Sequence, residues 1–137
     1  MPLHLDIVTP EKKIFSDTVE NVYLPGADGE MGILAMHAGL VTALQAGELR
    51  YLHKGITSTY AIGSGFAEVS HDKVTVLTDM ALGEAEIDEE RAEKAIEQAK
   101  EKLAASIHSM SDEEVAYLQG IIAKSTAALR IKRRGMH

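Results

Sequence analysis

The chain is 137 residues long, carries a formal net charge of -7 and contains no cysteine. That length suits one ordinary domain or two small ones, and the missing thiols exclude disulfides, thiolate metal sites and a cysteine nucleophile. The acidic balance argues against nucleic acid as a partner, because phosphate binding wants an uncompensated basic surface. No apolar run approaches the roughly 20 residues that cross a bilayer. The opening Met1 to Asp6 has neither the basic nor the apolar region of a signal peptide, so an intracellular protein is expected.

From Leu3 to about Thr78 the pattern alternates: Leu3, Leu5 and Ile7 against His4 and Asp6, and later Val74 and Val76 against Lys73 and Thr75. This is the period of half-buried strands. Turn signals recur at Pro10-Glu11, Pro25-Gly26, Asp28-Gly29, Ala46-Gly47, Lys54-Gly55, Gly63-Ser64-Gly65 and His71-Asp72. Short strands with frequent turns predict an antiparallel sandwich or flattened barrel.

Within it, Pro25 to Ala38 packs three turn-forming glycines, Gly26, Gly29 and Gly32, around the short apolar strand Met31 to Leu34. Glycines able to take positive φ predict two tight turns that present Glu30 and His37 on one stiff corner. The same glycines also serve a hairpin with no further role.

Beyond Ile87 the period becomes helical, with Ala92, Ile96, Ala99 and Leu103 on one stripe. Asp88 is the expected N-cap, and Glu89 and Glu90 suit the first turn. Ser106 to Met110 interrupts the pattern. Ser111 with Glu114 forms a capping box that opens a second helix, and Val115, Leu118, Ile122, Ser125 and Leu129 continue its stripe. An antiparallel hairpin is predicted, with a seam rich in alanine: Ala92, Ala95, Ala99, Ala104 and Ala105 facing Ala123, Ala127 and Ala128. Small side chains bury little area, so such a pair is held by only a few kcal/mol.

No catalytic constellation emerges. The six histidines have no metal-ligand spacing, His37 lacks a serine or carboxylate arranged around it, and Gly63-Ser64-Gly65 lacks the lysine and helix of a phosphate loop. The charge is distributed unevenly: no acid follows Glu114, while Lys124, Arg130, Lys132, Arg133 and Arg134 crowd the end. These cations either complement a helix dipole or form an electrostatic foot for an acidic protein surface.

Several of these residues carry a family likeness. The run Pro25, Gly26, Gly29, Met31, Gly32, Ile33, Leu34, His37, Ala38, followed by Leu44 and Gly47, the strand pair 65–69 and 74–79, and the change to a helical hairpin occur together in order. In these features the chain resembles the epsilon subunit of bacterial F-type ATP synthase from end to end. The resemblance implies an α+β chain: a β-sandwich of about ten strands over residues 1–84, which contacts the rotor stalk and the c-ring, followed by a regulatory α-helical hairpin over 85–137.

It also implies a non-catalytic central-stalk subunit of a proton-translocating complex, coupling ring rotation to ATP synthesis and inhibiting ATP hydrolysis through its C-terminal helices. The implied partners are the gamma subunit, the c-ring and the alpha and beta subunits, at the cytoplasmic face of the bacterial inner membrane, with membrane association only through the complex. By the same likeness Glu30, Met31 and His37 face the c-ring and gamma. Lys124, Arg130, Lys132, Arg133 and Arg134 make the inhibitory contacts.

Some family members bind ATP through an Ile/Leu-Asp-x-x-Arg-Ala motif, which Ile87 to Ala92 fits, offering Asp88 and Arg91. The arginines such members carry on the second helix align with Lys124 and Ala128, which implies weak or absent ATP binding. Otherwise no cofactor is expected. The competing reading is a free-standing sandwich that binds a small molecule or nucleotide under a helical lid.

Overall fold

Alternation of inward and outward side chains builds ten strands between Leu3 and Gly83. They are β1 (Leu3–Val8), β2 (Lys13–Val19), β3 (Asn21–Gly26), β4 (Gly29–Leu34), β5 (His37–Leu44), β6 (Gly47–His53), β7 (Ile56–Ile62), β8 (Gly65–His71), β9 (Lys73–Thr78) and β10 (Ala81–Gly83). The computed structural model describes residues 3–34 and 37–135.

The strands form one sheet in the order β10-β7-β6-β3-β5-β8-β9-β1-β2, with β4 paired to β3. The sheet folds over itself, so that β2 comes beside β6. There the Glu20 amide donates to the Leu52 carbonyl at 2.8 Å and His53 Nδ1 donates to the Thr18 carbonyl at 2.6 Å. The alternating residues Leu3, Leu5, Ile7, Val22, Leu24, Leu49, Ile62, Val74 and Val76 are fully buried in the enclosed core.

One pairing departs from the antiparallel expectation. β1 runs parallel to β9, with Leu5 opposite Val74 and Ile7 opposite Val76. Hairpins join only neighbouring strands, whereas a parallel pair needs a long connection. Here the connection is the rest of the sandwich, a distance over which local alternation carries no information.

After β10 a single 3-10 turn, Glu84–Glu86, leads into α1 (Glu89–Ser106), and α2 (Asp112–Gly135) follows a short turn at Ile107–Ser109. The Arg91 amide donates to Asp88 Oδ1 at 3.1 Å, so Asp88 caps α1. The Glu114 amide donates to Ser111 Oγ at 3.1 Å, and that hydroxyl donates to Glu114 Oε1 at 3.2 Å. Ala92 and Ala99 of α1 and Leu118, Ser125 and Leu129 of α2 are buried along the hairpin.

The alanine seam is narrower than its spacing predicts. Ala104, Ala105 and Ala123 are exposed, while Ala127 and Ala128 pack with Ala61 of β7, Ile87 and Ile131. The reason is that α2 serves two neighbours: α1 packs along α2, and α2, not α1, lies against β6 and β7. Small side chains let the helix approach the sheet closely. Ile131 is the one large side chain from α2 in that cluster; an isoleucine contributes roughly 1.5–3 kcal/mol on full burial and an alanine much less. The hairpin therefore hangs on the sandwich by the last third of a single helix.

Candidate functional site

The β3–β4 turn owes its shape to Gly29, whose φ of +127° is barred to other residues. Gly26 and Gly32 do not take positive φ. Gly32 instead makes room, since a Cβ there would lie 3.0 Å from the Tyr23 ring. That ring supports the guanidinium of Arg50 on β6, 4.9 Å from its centroid, and Arg50 Nη2 donates to Glu30 Oε2 at 2.8 Å. The turn thus fixes an exposed Glu30 by a cation on its neighbouring strand.

Met31 is half-buried and packs against the sandwich core. His37 opens β5 opposite His71, and its side chain lies outside the described residues. Strand β4 begins beside Gly26 at Gly29, with Glu30 next beside Pro25, and ends beside Asn21 at Leu34. Glu30 and His37 are accordingly not gathered at one corner.

The basic end of α2 is tied back onto the chain. Arg130 Nε meets Glu48 Oε2 of β6 at 3.2 Å, and Arg134 meets both oxygens of the same carboxylate. Arg133 donates from Nε to Glu89 and from Nη2 to Glu93, each at 2.8 Å, while Lys132 Nζ donates to the Glu84 carbonyl at 3.2 Å. Hydrogen bonding to Glu89 raises the Arg133 guanidinium above its ordinary pKa, and hydrogen bonding to Glu48 does the same for Arg134. These cations are matched within the chain, contrary to the unopposed cluster that their spacing suggests.

Lys124 stands apart from that end. It lines a cleft of about 350 Å³ with Asp88, Arg91, Ala92 and Ala128, so the residues of the Ile87–Ala92 motif and their partners on α2 do converge. One Asp88 oxygen is already engaged in capping α1, and Ala128 supplies no charge. The cleft offers an anion two cations, Arg91 and Lys124.

Nothing described is arranged for catalysis. His4 Nε2 lies 3.2 Å from both Asp6 Oδ1 and Ser16 Oγ, but a relay needs the acid and the hydroxyl on opposite ring nitrogens. Among the described residues no three His, Asp or Glu side chains are grouped to hold a metal.

Sequence reasoning missed an exposed apolar face. Val41, Phe66 and Leu77 are 70 %, 58 % and 49 % exposed, and they lie on the adjacent strands β5, β8 and β9, with Phe66 paired to both Ala43 and Leu77. The signal was parity: Ala67 and Val69 take the inward positions of β8, so Phe66 falls on the outward side, where a polar residue is expected. Glu48 was missed for a related reason. It reads as an ordinary outward residue between Gly47 and Leu49, and only the fold brings α2 to it.

The family model described as "ATP synthase, Delta/Epsilon chain, beta-sandwich domain" matches residues 2–84. An ATP synthase epsilon chain of Herpetosiphon aurantiacus is 40 % identical over 136 residues, covering 98 % of this chain and all of that one. A second, from Carboxydothermus hydrogenoformans, is 46 % identical over 102 residues, covering 74 % of this chain and 76 % of that one. Among solved structures, a chain of the Euglena gracilis mitochondrial ATP synthase OSCP/F1/c-ring assembly superposes with a TM-score of 0.72 at 25 % identity, covering 99 % of this chain and 82 % of that one. A chain of the Tetrahymena thermophila central stalk and c-ring shares the fold, with a TM-score of 0.59 at 10 % identity, covering 100 % of this chain and 98 % of that one. With 98 % of its length matched to one epsilon chain and its sandwich to the family model, the chain belongs to the ATP synthase delta/epsilon family as an epsilon chain, a non-catalytic subunit of that complex.

Proposed function

We propose that the chain couples c-ring rotation to ATP synthesis as part of the central stalk and restrains ATP hydrolysis with its C-terminal helices. The observation that carries the inhibitory half is the attachment of α2: a few alanines, Ile131 and a set of ion pairs at the surface hold its basic end. A helix so attached can leave the sandwich and offer Lys124, Arg130, Lys132, Arg133 and Arg134 to acidic side chains of the alpha and beta subunits. The sandwich of residues 1–84 is the stalk and ring contact, and the helical part of 85–137 is the regulator.

On the sandwich, the exposed face of Val41, Phe66 and Leu77 suits a partner that removes apolar surface from water, and we assign it to the gamma subunit. The Gly29 turn suits the c-ring, where Glu30 presents a carboxylate held in place by Arg50; Met31 supports that turn from within, and His37, at the far end of β5 from it, is assigned to the ring and gamma contact by family likeness alone. Among the described residues no helix is long and apolar enough to cross a membrane. Attachment then runs through the complex, at the cytoplasmic face of the inner membrane. The cleft of Asp88, Arg91 and Lys124 holds ATP weakly at most, because Ala128 stands where a further cation would grip the phosphates and Lys124 lacks the bidentate geometry of an arginine.

Deleting residues 107–137 tests the inhibitory role in the reconstituted complex. Hydrolysis should rise several-fold while the subunit still assembles. Unchanged hydrolysis with normal assembly would remove inhibition from the reading.

A further inference from the structure

We propose that Glu48 is the lock that holds the C-terminal helix against the sandwich and sets how long it stays docked. Arg130 and Arg134 lie one turn apart on α2 and converge on this single carboxylate of β6. Glu48 is 19 % exposed, whereas the two arginines are 59 % and 58 % exposed. The acid is thus the half-sheltered partner, and it loses most when left unpaired. The helix meets the sheet here through little apolar surface, so a polar contact has leverage that it would lack on a large interface.

The geometry separates two functions within one basic end. Arg130 and Arg134 tie α2 to the sandwich, while Arg133 turns the other way and ties α2 to Glu89 and Glu93 of α1. Loss of Glu48 releases the hairpin as a unit; loss of Glu89 and Glu93 loosens the two helices from each other with α2 still docked. The lock borders an open cleft of about 620 Å³ that Glu30 and Arg50 also line. Salt reaches the pairs there and weakens them by screening.

Hydrogen exchange of the Ala127–Ile131 amides in the full isolated chain tests the lock. In Glu48→Gln these amides should exchange several-fold faster than in the parent at low salt, and the difference should shrink as salt is raised. Sandwich amides in β8 and β9 should keep their protection, which separates undocking from global unfolding. Glu48→Lys should undock the helix further, and adding Arg130→Glu with Arg134→Glu should restore protection. Exchange in Glu48→Gln equal to the parent at low salt, or no restoration by the charge exchange, would overturn the lock. The consequence for activity rests on the inhibitory reading above: in the complex, Glu48→Gln should lower ATP hydrolysis. Faster exchange without any change in hydrolysis would leave the lock standing and sink the inhibitory role.

Discussion

Asp6 shows how far an alternating pattern informs about a single residue. Its position opposite the inward Leu5 and Ile7 marks it as an outward residue, yet it is buried. The side chains around it explain this: Lys73 Nζ at 3.6 Å, Lys13 Nζ at 4.0 Å and His4 Nε2 at 3.2 Å come from β9, β2 and β1. The Asp6 carboxyl is held below the usual range, foremost by hydrogen bonding from Ser16, its partner across β2, against the opposing effect of burial. A lowered pKa means that its stabilisation is present above the unfolded value of about 3.9 and is lost as the pH falls through the folded one. Asp6→Asn should therefore lower stability by about 1 kcal/mol at neutral pH, discounted for the solvent around both lysines. Urea unfolding measured from pH 7 to about pH 2 checks this: parent and variant should converge on acidification, and a gap independent of pH would contradict it.

At the scale of elements, the local chemistry of each helix was legible and its neighbours were not. Asp88, Ser111 and Glu114 announced both helix starts, because a cap satisfies amides within its own first turn. Ala127 and Ala128 gave no hint of which surface they meet, since an alanine on a stripe fits a helix as readily as a sheet. Packing against Ala61 and Ile87 makes them sensitive to size. Ala127→Leu adds three carbons where the helix backbone lies close to β7, and overpacking of this kind costs about 1–3 kcal/mol. Most of that cost falls on docking, because Ala127 belongs to the cluster shared with the sandwich. The variant should keep its helical circular dichroism while the Ala127–Ile131 amides lose protection. A loss of sandwich protection in parallel would show that the helix and sheet fold as one unit.

Across the whole molecule, the first half was readable as a sandwich from alternation and turns, and the second as a hairpin from its change of period. Two features depended on contacts distant in sequence: the parallel β1–β9 pair that helps close the sheet, and the return of Arg130 and Arg134 to Glu48. The candidate surfaces divide in the same way. Glu30 stood out in its glycine-rich run, but the apolar face arises only when β5, β8 and β9 lie side by side. That face makes a prediction that separates assembly from folding. Phe66 is 58 % exposed, so Phe66→Asp removes little burial from the isolated chain, and surface substitutions of this kind usually change stability by less than about 0.5 kcal/mol. If gamma covers the face, the same change places a carboxylate against apolar surface without a partner, at a cost of several kcal/mol. The variant should unfold at the parent's urea concentration yet fail to co-purify with the complex. Co-purification at the parent level would move the gamma contact to another face of the sandwich, whereas lowered stability would make Phe66 a part of the fold.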